Sequence, residues 1–161
     1  MDFFEMQIRI DVTTQTLEWV VGGEVVRCSA ISTSRYGLGT EEGSQRTPTG
    51  EFVIAEKHGE GAGLGEILVS RVATGRVGEE GDERDHVQTR ILWLSGLGEE
   101  NANTYGRYIY IHGTNAESKL GTAASCGCVR MGNEEVRDLF ERVEVGTRVE
   151  IVGGEGGEGA G

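Results

Sequence analysis

The sequence predicts a mainly β protein, a sandwich or partly closed barrel of about ten short strands with one α-helix near its C-terminus. Three observations support this fold class. Several short segments alternate apolar and polar residues, glycine-rich or acidic stretches separate them, and helical periodicity occurs in one segment only. At 161 residues the chain is long enough for one domain with its own core and too short for two.

The first three predicted strands form an antiparallel meander over residues 6–32. In "MQIRIDV", apolar residues alternate strictly with polar ones, which is typical of a half-buried strand. The segment "LEWVV" follows a short polar turn, and "VGGEVVRCSAIS" supplies a Gly-Gly-Glu turn and a third strand. On that strand Val26, Cys28 and Ala30 share one face, so we expect Cys28 to be a small core residue.

Further strands and one helix are predicted after a loop over residues 33–50, which is rich in Gly, Ser and Thr and contains the only proline. Strand patterns follow in "EFVIAEK", "EILVSRV", "TRILWLSGL" and "RYIYIHG". The segment "GNEEVRDLFERVEVG" has helical spacing with Asn133 as the expected N-cap, and "TRVEIV" is the last strand. We therefore expect one catalytic or binding domain over residues 1–152 and a disordered tail over residues 153–161.

Charge and composition narrow the range of partners. Acidic residues outnumber basic ones 27 to 15, for a net charge of -12, so the surface is expected to repel nucleic acid and anionic lipid headgroups. No apolar run approaches membrane-spanning length, which predicts no membrane insertion. The N-terminus lacks the features of a secretion signal, so we expect a cytoplasmic protein, or a periplasmic or cell-wall one if a leader has been removed. The three cysteines are then expected to be free thiols.

The residues best suited to catalysis or metal binding cluster in residues 111–131, "IHGTNAESKLGTAASCGCVRM". His112 ends a predicted strand whose alternation places it on one face with Tyr108 and Tyr110. By itself, such a histidine is more often a hydrogen-bonded structural residue than a catalytic one. Downstream, a glycine precedes Cys128, and exposed backbone N–H groups at such a turn can lower a thiol pKa or bind an oxyanion.

Three kinds of site are compatible with this pattern. A zinc site from His112, Cys126 and Cys128 lacks an evident fourth ligand. A redox dithiol has an unfavourable one-residue spacing and lacks the thioredoxin-like context. A Cys128 nucleophile with His112 as base needs only that the two side chains converge in space, and we favour this hypothesis. No metal and no other cofactor is expected.

Several segments together resemble one known family. The motif consists of a strand-end histidine with Gly113 and Thr114, a loop, and "SCGCVRM" over residues 125–131. The resemblance extends to "IRIDVTTQTLEWVVGGEVVRCSAIST" as an opening hairpin, to "RTPTGEF" as a Thr-Pro-x-Gly segment, and to "LFERVEVGTRVEIV" as a closing helix and strand. These features resemble the L,D-transpeptidase catalytic domain family, also called the YkuD domain, over nearly the whole chain.

The resemblance implies a β-sandwich of mixed sheets and a cysteine acyl-transfer enzyme without a cofactor. Its substrate would be a peptidoglycan stem peptide or a muropeptide. Cys128 matches the nucleophile, which would attack the third residue of a stem tetrapeptide, release D-alanine and leave a thioester. His112 matches the base, with the Gly113 backbone placed to orient it, and the Gly127 and Cys128 amides match the oxyanion hole. The expected substrate-binding residues are Arg130, Ser125 and Tyr110.

Cys126 stands where the family usually has a histidine. We expect either a small buried residue, which is the favoured alternative, or a modulator of Cys128 through reversible oxidation. The sequence does not determine the acceptor of the acyl group. An amine gives transpeptidation, whereas water gives an L,D-carboxypeptidase that would suit a cytoplasmic protein acting on recycled muropeptides. An inactive module that binds stem peptides is the third alternative.

Overall fold

The computed structural model describes residues 5–153. Residues 154–161 of the predicted tail lie outside the described residues. Within the described range the chain forms ten β-strands, one α-helix, and short 3-10 helices at Tyr105–Arg107 and Glu117–Lys119. The strands are β1 (Met6–Asp11), β2 (Thr16–Val21), β3 (Glu24–Ser32), β4 (Gly50–His58), β5 (Glu66–Val69), β6 (Val72–Val77), β7 (Val87–Gly96), β8 (Tyr110–Gly113), β9 (Val129–Met131) and β10 (Arg148–Val152). The helix is α1 (Asn133–Arg142). The predicted mainly β class is confirmed.

Hydrogen bonding joins all ten strands in the order β4-β10-β1-β2-β3-β9-β8-β7-β5-β6. A further pairing between β4 and β7 closes eight of these strands into a ring, from which the β5–β6 hairpin projects. Most pairs are antiparallel, whereas β1 pairs with β10 and β8 pairs with β9 in parallel. The sheet is therefore mixed, and its closure removes most exposed strand edges.

Two clusters of buried side chains make up the core. The larger one is enclosed by the ring and by α1, and it includes Ile8, Leu17 and Leu139. The alternation of β1 explains this, because Met6, Ile8 and Ile10 all face inward. A smaller cluster of Leu68, Ile91, Trp93 and Tyr110 lies at β5, β7 and β8, and Cys128 packs against it. The candidate nucleophile thus lies on the second cluster, outside the main core.

The N-terminus of α1 differs from the prediction. Asn133 is the first helical residue and Gly132 occupies the N-cap position. The Asn133 side chain instead accepts a hydrogen bond from Thr89 Oγ1 at 2.7 Å and donates one to the Thr114 carbonyl at 2.9 Å. A Glu117 carboxylate oxygen accepts the Asn133 backbone N–H at 2.7 Å. A residue distant in sequence therefore caps the helix, and Asn133 ties it to the sheet.

Two other predictions about local structure were wrong. The segment "EILVSRV" is two strands, because Ser70 and Arg71 adopt positive φ of 51° and 67° and reverse the chain between β5 and β6. Cys28 is exposed, since Ser29 and Ile31 are the residues of that part of β3 that face inward. Cys28 is consequently a surface thiol and not a core residue.

Candidate active site

Strands β8 and β9 bring the two halves of the motif together. They run parallel, with Ile111 opposite Val129 and His112 opposite Arg130. Ile111 and Val129 face the main core. Because side chains alternate along a strand, His112 and Arg130 lie on the other face, as does Cys128, immediately before β9. His112 and Cys128 thus occupy diagonal positions on one face of adjacent strands, whose axes are about 4.8 Å apart.

Two backbone groups of residues 108–110 form hydrogen bonds with the Cys128 sulphur. The Tyr110 N–H donates to Cys128 Sγ at 3.3 Å, and the thiol donates to the Tyr108 carbonyl at 3.4 Å. Burial raises the pKa of the thiol to about 11, against the lowering contribution of the Tyr110 N–H. The sulphur is therefore fixed in position and protonated at neutral pH.

His112 is almost fully buried, with 2% of its surface exposed. Its Nδ1 lies 2.5 Å from the Gly113 carbonyl oxygen. Because a carbonyl only accepts, Nδ1 carries the proton, and Nε2 of the neutral ring is left as an acceptor. Burial lowers the pKa of His112, and the nearby Asp85 carboxylate partly offsets this effect. The contact with Gly113 is the one that the family resemblance implied.

The turn before Cys128 is built by the Ser125 hydroxyl. It donates to the Cys128 carbonyl at 2.7 Å and accepts the Gly127 N–H at 3.2 Å. Thr47 Oγ1 holds the Gly127 carbonyl at 2.9 Å. Gly127 has a φ of +126°, a backbone conformation that residues with a Cβ atom rarely adopt. A glycine therefore allows this turn, and serine fixes it.

This turn changes two of the predicted roles. Ser125 is 1% exposed, so it supports the turn and is not positioned to contact a substrate. The Gly127 N–H is taken by Ser125, so it is not free to bind an oxyanion in this arrangement. Of the two predicted oxyanion donors, the Cys128 N–H is the one that remains.

Tyr110 also differs from its predicted role. Its ring is buried, packs edge-on against Trp93 at 5.4 Å, and its hydroxyl accepts a bond from Arg71 at 3.2 Å. Burial raises the pKa of this hydroxyl. Little of the side chain is left for a substrate. The residue acts on the site through its backbone N–H, which contacts Cys128.

Arg130 is buried beside His112, with 5% of its surface exposed. Its Nη2 forms an ion pair with Asp85 at 2.9 Å. Among the described residues, nothing accepts a hydrogen bond from its Nε. Asp85 belongs to the acidic segment of residues 78–86, for which the sequence predicted no role. This segment forms one wall of a cavity of about 590 Å³ that Arg130 and Arg35 also line.

Cys126 is exposed, so the favoured prediction of a small buried residue was wrong. The Arg35 guanidinium lies 3.9 Å from its sulphur. Cys126 and Cys128 line the same cavity of about 340 Å³, together with Arg107 and Tyr108. Oxidative control through Cys126 accordingly stays a prediction.

The sequence analysis missed several residues around the site. Asp85 lies far from the motif in sequence and Arg107 lies just before it, in "RYIYIHG", but no periodic pattern indicated that either residue would lie at the site. Trp93 stacks on Tyr105 at 4.2 Å and on Tyr108 at 5.4 Å, which supports the segment that holds the thiol. The aromatic residues of "RYIYIHG" were the one available signal.

Within residues 5–153, no group of three or more His, Cys, Asp or Glu side chains is arranged to hold a metal ion. In the same range, no helix is both long and apolar enough to cross a membrane. The zinc hypothesis for His112, Cys126 and Cys128 therefore has no geometric support among the described residues.

Comparison with known proteins agrees with this architecture. The L,D-transpeptidase catalytic domain family, YkuD, matches residues 5–151, and the chain belongs to this family. The protein YkuD of Bacillus subtilis, which is named as an L,D-transpeptidase, is 51% identical over 144 residues, covering 89% of this chain and 64% of that protein. YqjB of the same organism is 34% identical over 116 residues, covering 72% of this chain and 57% of that protein. YbiS of Escherichia coli is 53% identical over 47 residues, which cover 29% of this chain and 15% of that protein.

Solved structures of L,D-transpeptidases have the same fold. The Mycobacterium smegmatis enzyme superposes with a TM-score of 0.58 at 16% identity, covering 92% of this chain and 59% of that one. The C442S mutant of the Enterococcus faecium enzyme has a TM-score of 0.57 at 16% identity, covering 92% of this chain and 50% of that one. The predicted fold is therefore confirmed.

Proposed function

We propose that the protein is a cysteine acyl-transfer enzyme that cleaves the L-to-D bond of peptidoglycan stem tetrapeptides and transfers the acyl group to an amine. One observation carries the proposal. Cys128 lies in an open cavity on the same face as a histidine whose Nδ1 is fixed on the Gly113 carbonyl, which leaves Nε2 as a base.

In the first half-reaction, His112 Nε2 takes the thiol proton as the Cys128 sulphur attacks the carbonyl carbon of the third residue. A C–S bond forms and the C–N bond to the terminal D-alanine breaks. The histidine then returns its proton to the leaving amine. The products are free D-alanine and a thioester on Cys128.

In the second half-reaction, an acceptor amine attacks the thioester carbon. His112 takes a proton from the attacking nitrogen and passes it to the departing sulphur, which restores the thiol. With water as the acceptor, the same steps release a tripeptide, which is carboxypeptidase activity. We assign the Cys128 N–H as the donor that stabilises the negatively charged carbonyl oxygen, since the Gly127 N–H is bound to Ser125.

The electrostatics favour a general-base mechanism over a preformed ion pair. Burial raises the pKa of Cys128 and lowers that of His112, so both groups are neutral in the resting enzyme. The proton must therefore move from sulphur to nitrogen during the attack. This proton transfer depends on the orientation of the His112 ring, which the hydrogen bond to the Gly113 carbonyl fixes.

Mass spectrometry of a disaccharide tetrapeptide incubated with the protein tests the proposal. A cross-linked dimer with loss of D-alanine supports transpeptidation, and loss of D-alanine alone shows hydrolysis. An unchanged substrate that still binds identifies the inactive module and overturns the proposal.

Variants assign the chemistry. Cys128→Ala and His112→Ala are each expected to abolish D-alanine release. Cys28→Ala is the matched control, because it removes an exposed thiol on β3 and is expected to retain full activity. Substantial turnover by Cys128→Ala protein would contradict the assignment.

A further inference from the structure

We propose that Arg130 binds the C-terminal carboxylate of the tetrapeptide substrate, which belongs to the D-alanine that is released. We further propose that Asp85 forms an ion pair with Arg130 until this carboxylate displaces it. The inference rests on the proposed function and names the group that makes the enzyme act at a chain end. It also gives the acidic segment of residues 78–86 a role in substrate selection.

The environment of Arg130 has the properties of an anion site. Its side chain is buried, and among residues 5–153 one carboxylate, that of Asp85 at 2.9 Å, forms an ion pair with it. This ion pair uses Nη2, while Nε has no acceptor among the described residues. A guanidinium binds a carboxylate best through two parallel N–H groups. A carboxylate that replaces Asp85 can therefore pair with both Nη2 and Nε.

The location of Arg130 specifies which carboxylate this is. Arg130 lies opposite His112 in the parallel pairing of β8 and β9. In the proposed reaction His112 protonates the nitrogen of the leaving D-alanine. The carboxylate carbon of a C-terminal residue is two bonds from that nitrogen, so its oxygens lie roughly 3 Å away. Because His112 and Arg130 are paired across adjacent strands, a leaving group whose nitrogen is at His112 can reach Arg130 with its carboxylate.

Asp85 is able to give way to such a ligand. It lies on an exposed segment, and its side chain is 37% exposed against 6% for that of Arg130. Neighbouring charges on this wall have other partners: Asp82 bonds Arg84 and His86, and Glu80 accepts a bond from Ser118. The exchange of Asp85 for a substrate carboxylate thus keeps the buried guanidinium paired, which limits its desolvation cost.

The experiment compares a stem tetrapeptide with its C-terminal carboxamide, which lacks only the charged group. D-alanine or D-alaninamide release is measured by mass spectrometry. For the unmodified protein, kcat/KM is expected to be about 10- to 100-fold higher for the free acid, the range for a hydrogen bond to a charged group. In Arg130→Gln protein the two substrates are expected to react at equal rates.

Asp85→Asn protein keeps the test decisive if Arg130→Gln fails to fold. Removing the competing carboxylate is expected to lower KM for the free acid about fivefold and to leave KM for the amide unchanged. Glu83→Gln is the matched control, since Glu83 lines the same cavity, and its acid-to-amide ratio should equal that of the unmodified protein.

The outcomes separate the two proposals. No release from either substrate by the unmodified protein overturns the proposed function. Release at equal rates from acid and amide overturns the present inference and leaves the function intact. An Asp85→Asn protein with an unchanged or higher KM for the free acid overturns the gating role of Asp85.

Discussion

The reactivity of Cys128 toward iodoacetamide provides the most direct test of the neutral resting state. In a Cys28→Ser/Cys126→Ser variant, Cys128 is the one cysteine left in the sequence. We expect its alkylation to be slow at pH 7 and to accelerate until about pH 11, because burial raises the thiol pKa to about 11.

The size of the effect follows from the pKa. A rise from 9.0 to about 11 lowers the thiolate fraction at neutral pH about 100-fold. A thiolate of higher pKa is also more nucleophilic, and a Brønsted coefficient of about 0.4–0.5 returns roughly 6- to 10-fold of this loss. At pH 7, Cys128 should therefore react about 10-fold more slowly than an exposed cysteine.

The assay follows intact mass against time between pH 6 and pH 11, with circular dichroism at each pH to show that the fold persists. Cys126→Ser/Cys128→Ser protein, which retains the exposed Cys28, is the matched reference. A rate that levels off below about pH 8 would mean a thiolate already formed at neutral pH. That result would refute the general-base mechanism and the role of burial.

Two further substitutions test the supports of the site. Ser125→Ala removes the hydroxyl that accepts the Gly127 N–H and donates to the Cys128 carbonyl. Urea denaturation should therefore show an unfolding free energy about 1–3 kcal/mol lower, and kcat should also fall. An unchanged denaturation midpoint and an unchanged rate would contradict this role. Glu117→Ala removes the cap of α1 and should cost about 0.5–2 kcal/mol in the same assay. Its control, Glu134→Ala, should cost only the dipole contribution of about 0.3–1 kcal/mol, and equal losses in both variants would argue against capping by Glu117.

Local patterns predicted those parts of the fold that depend on local physics. Strict alternation in β1 and helical spacing in α1 located both elements, because each buries one regular face. The residue types of the motif favoured Cys128 as nucleophile and His112 as base, the family resemblance implied the same roles, and the structure places both side chains on one face. A strand of three residues has no detectable period, so β9 was not predicted although it carries the motif.

Side-chain contacts and packing that have no distinct sequence pattern explain the errors around the site. The Gly127 N–H donates a hydrogen bond to a serine hydroxyl two residues earlier, yet the turn that joins the two residues has no distinct sequence pattern. Cys126 and Cys28 were expected to be buried because cysteine commonly is. Their exposure depends on which face of β3 and of the turn meets the core, and composition does not determine that.

The acidic segment shows why charge alone was misleading. A run of carboxylates is usually a solvated surface, and most of residues 78–86 is indeed exposed. A guanidinium buried as deeply as that of Arg130 nevertheless requires an opposite charge, since an unpaired buried ion is far more costly than an exposed carboxylate. Asp85 meets this requirement through a contact between residues distant in sequence. In the proposed exchange, a substrate carboxylate that binds Arg130 replaces Asp85, so the pairing that stabilises the site without substrate also requires a negatively charged ligand.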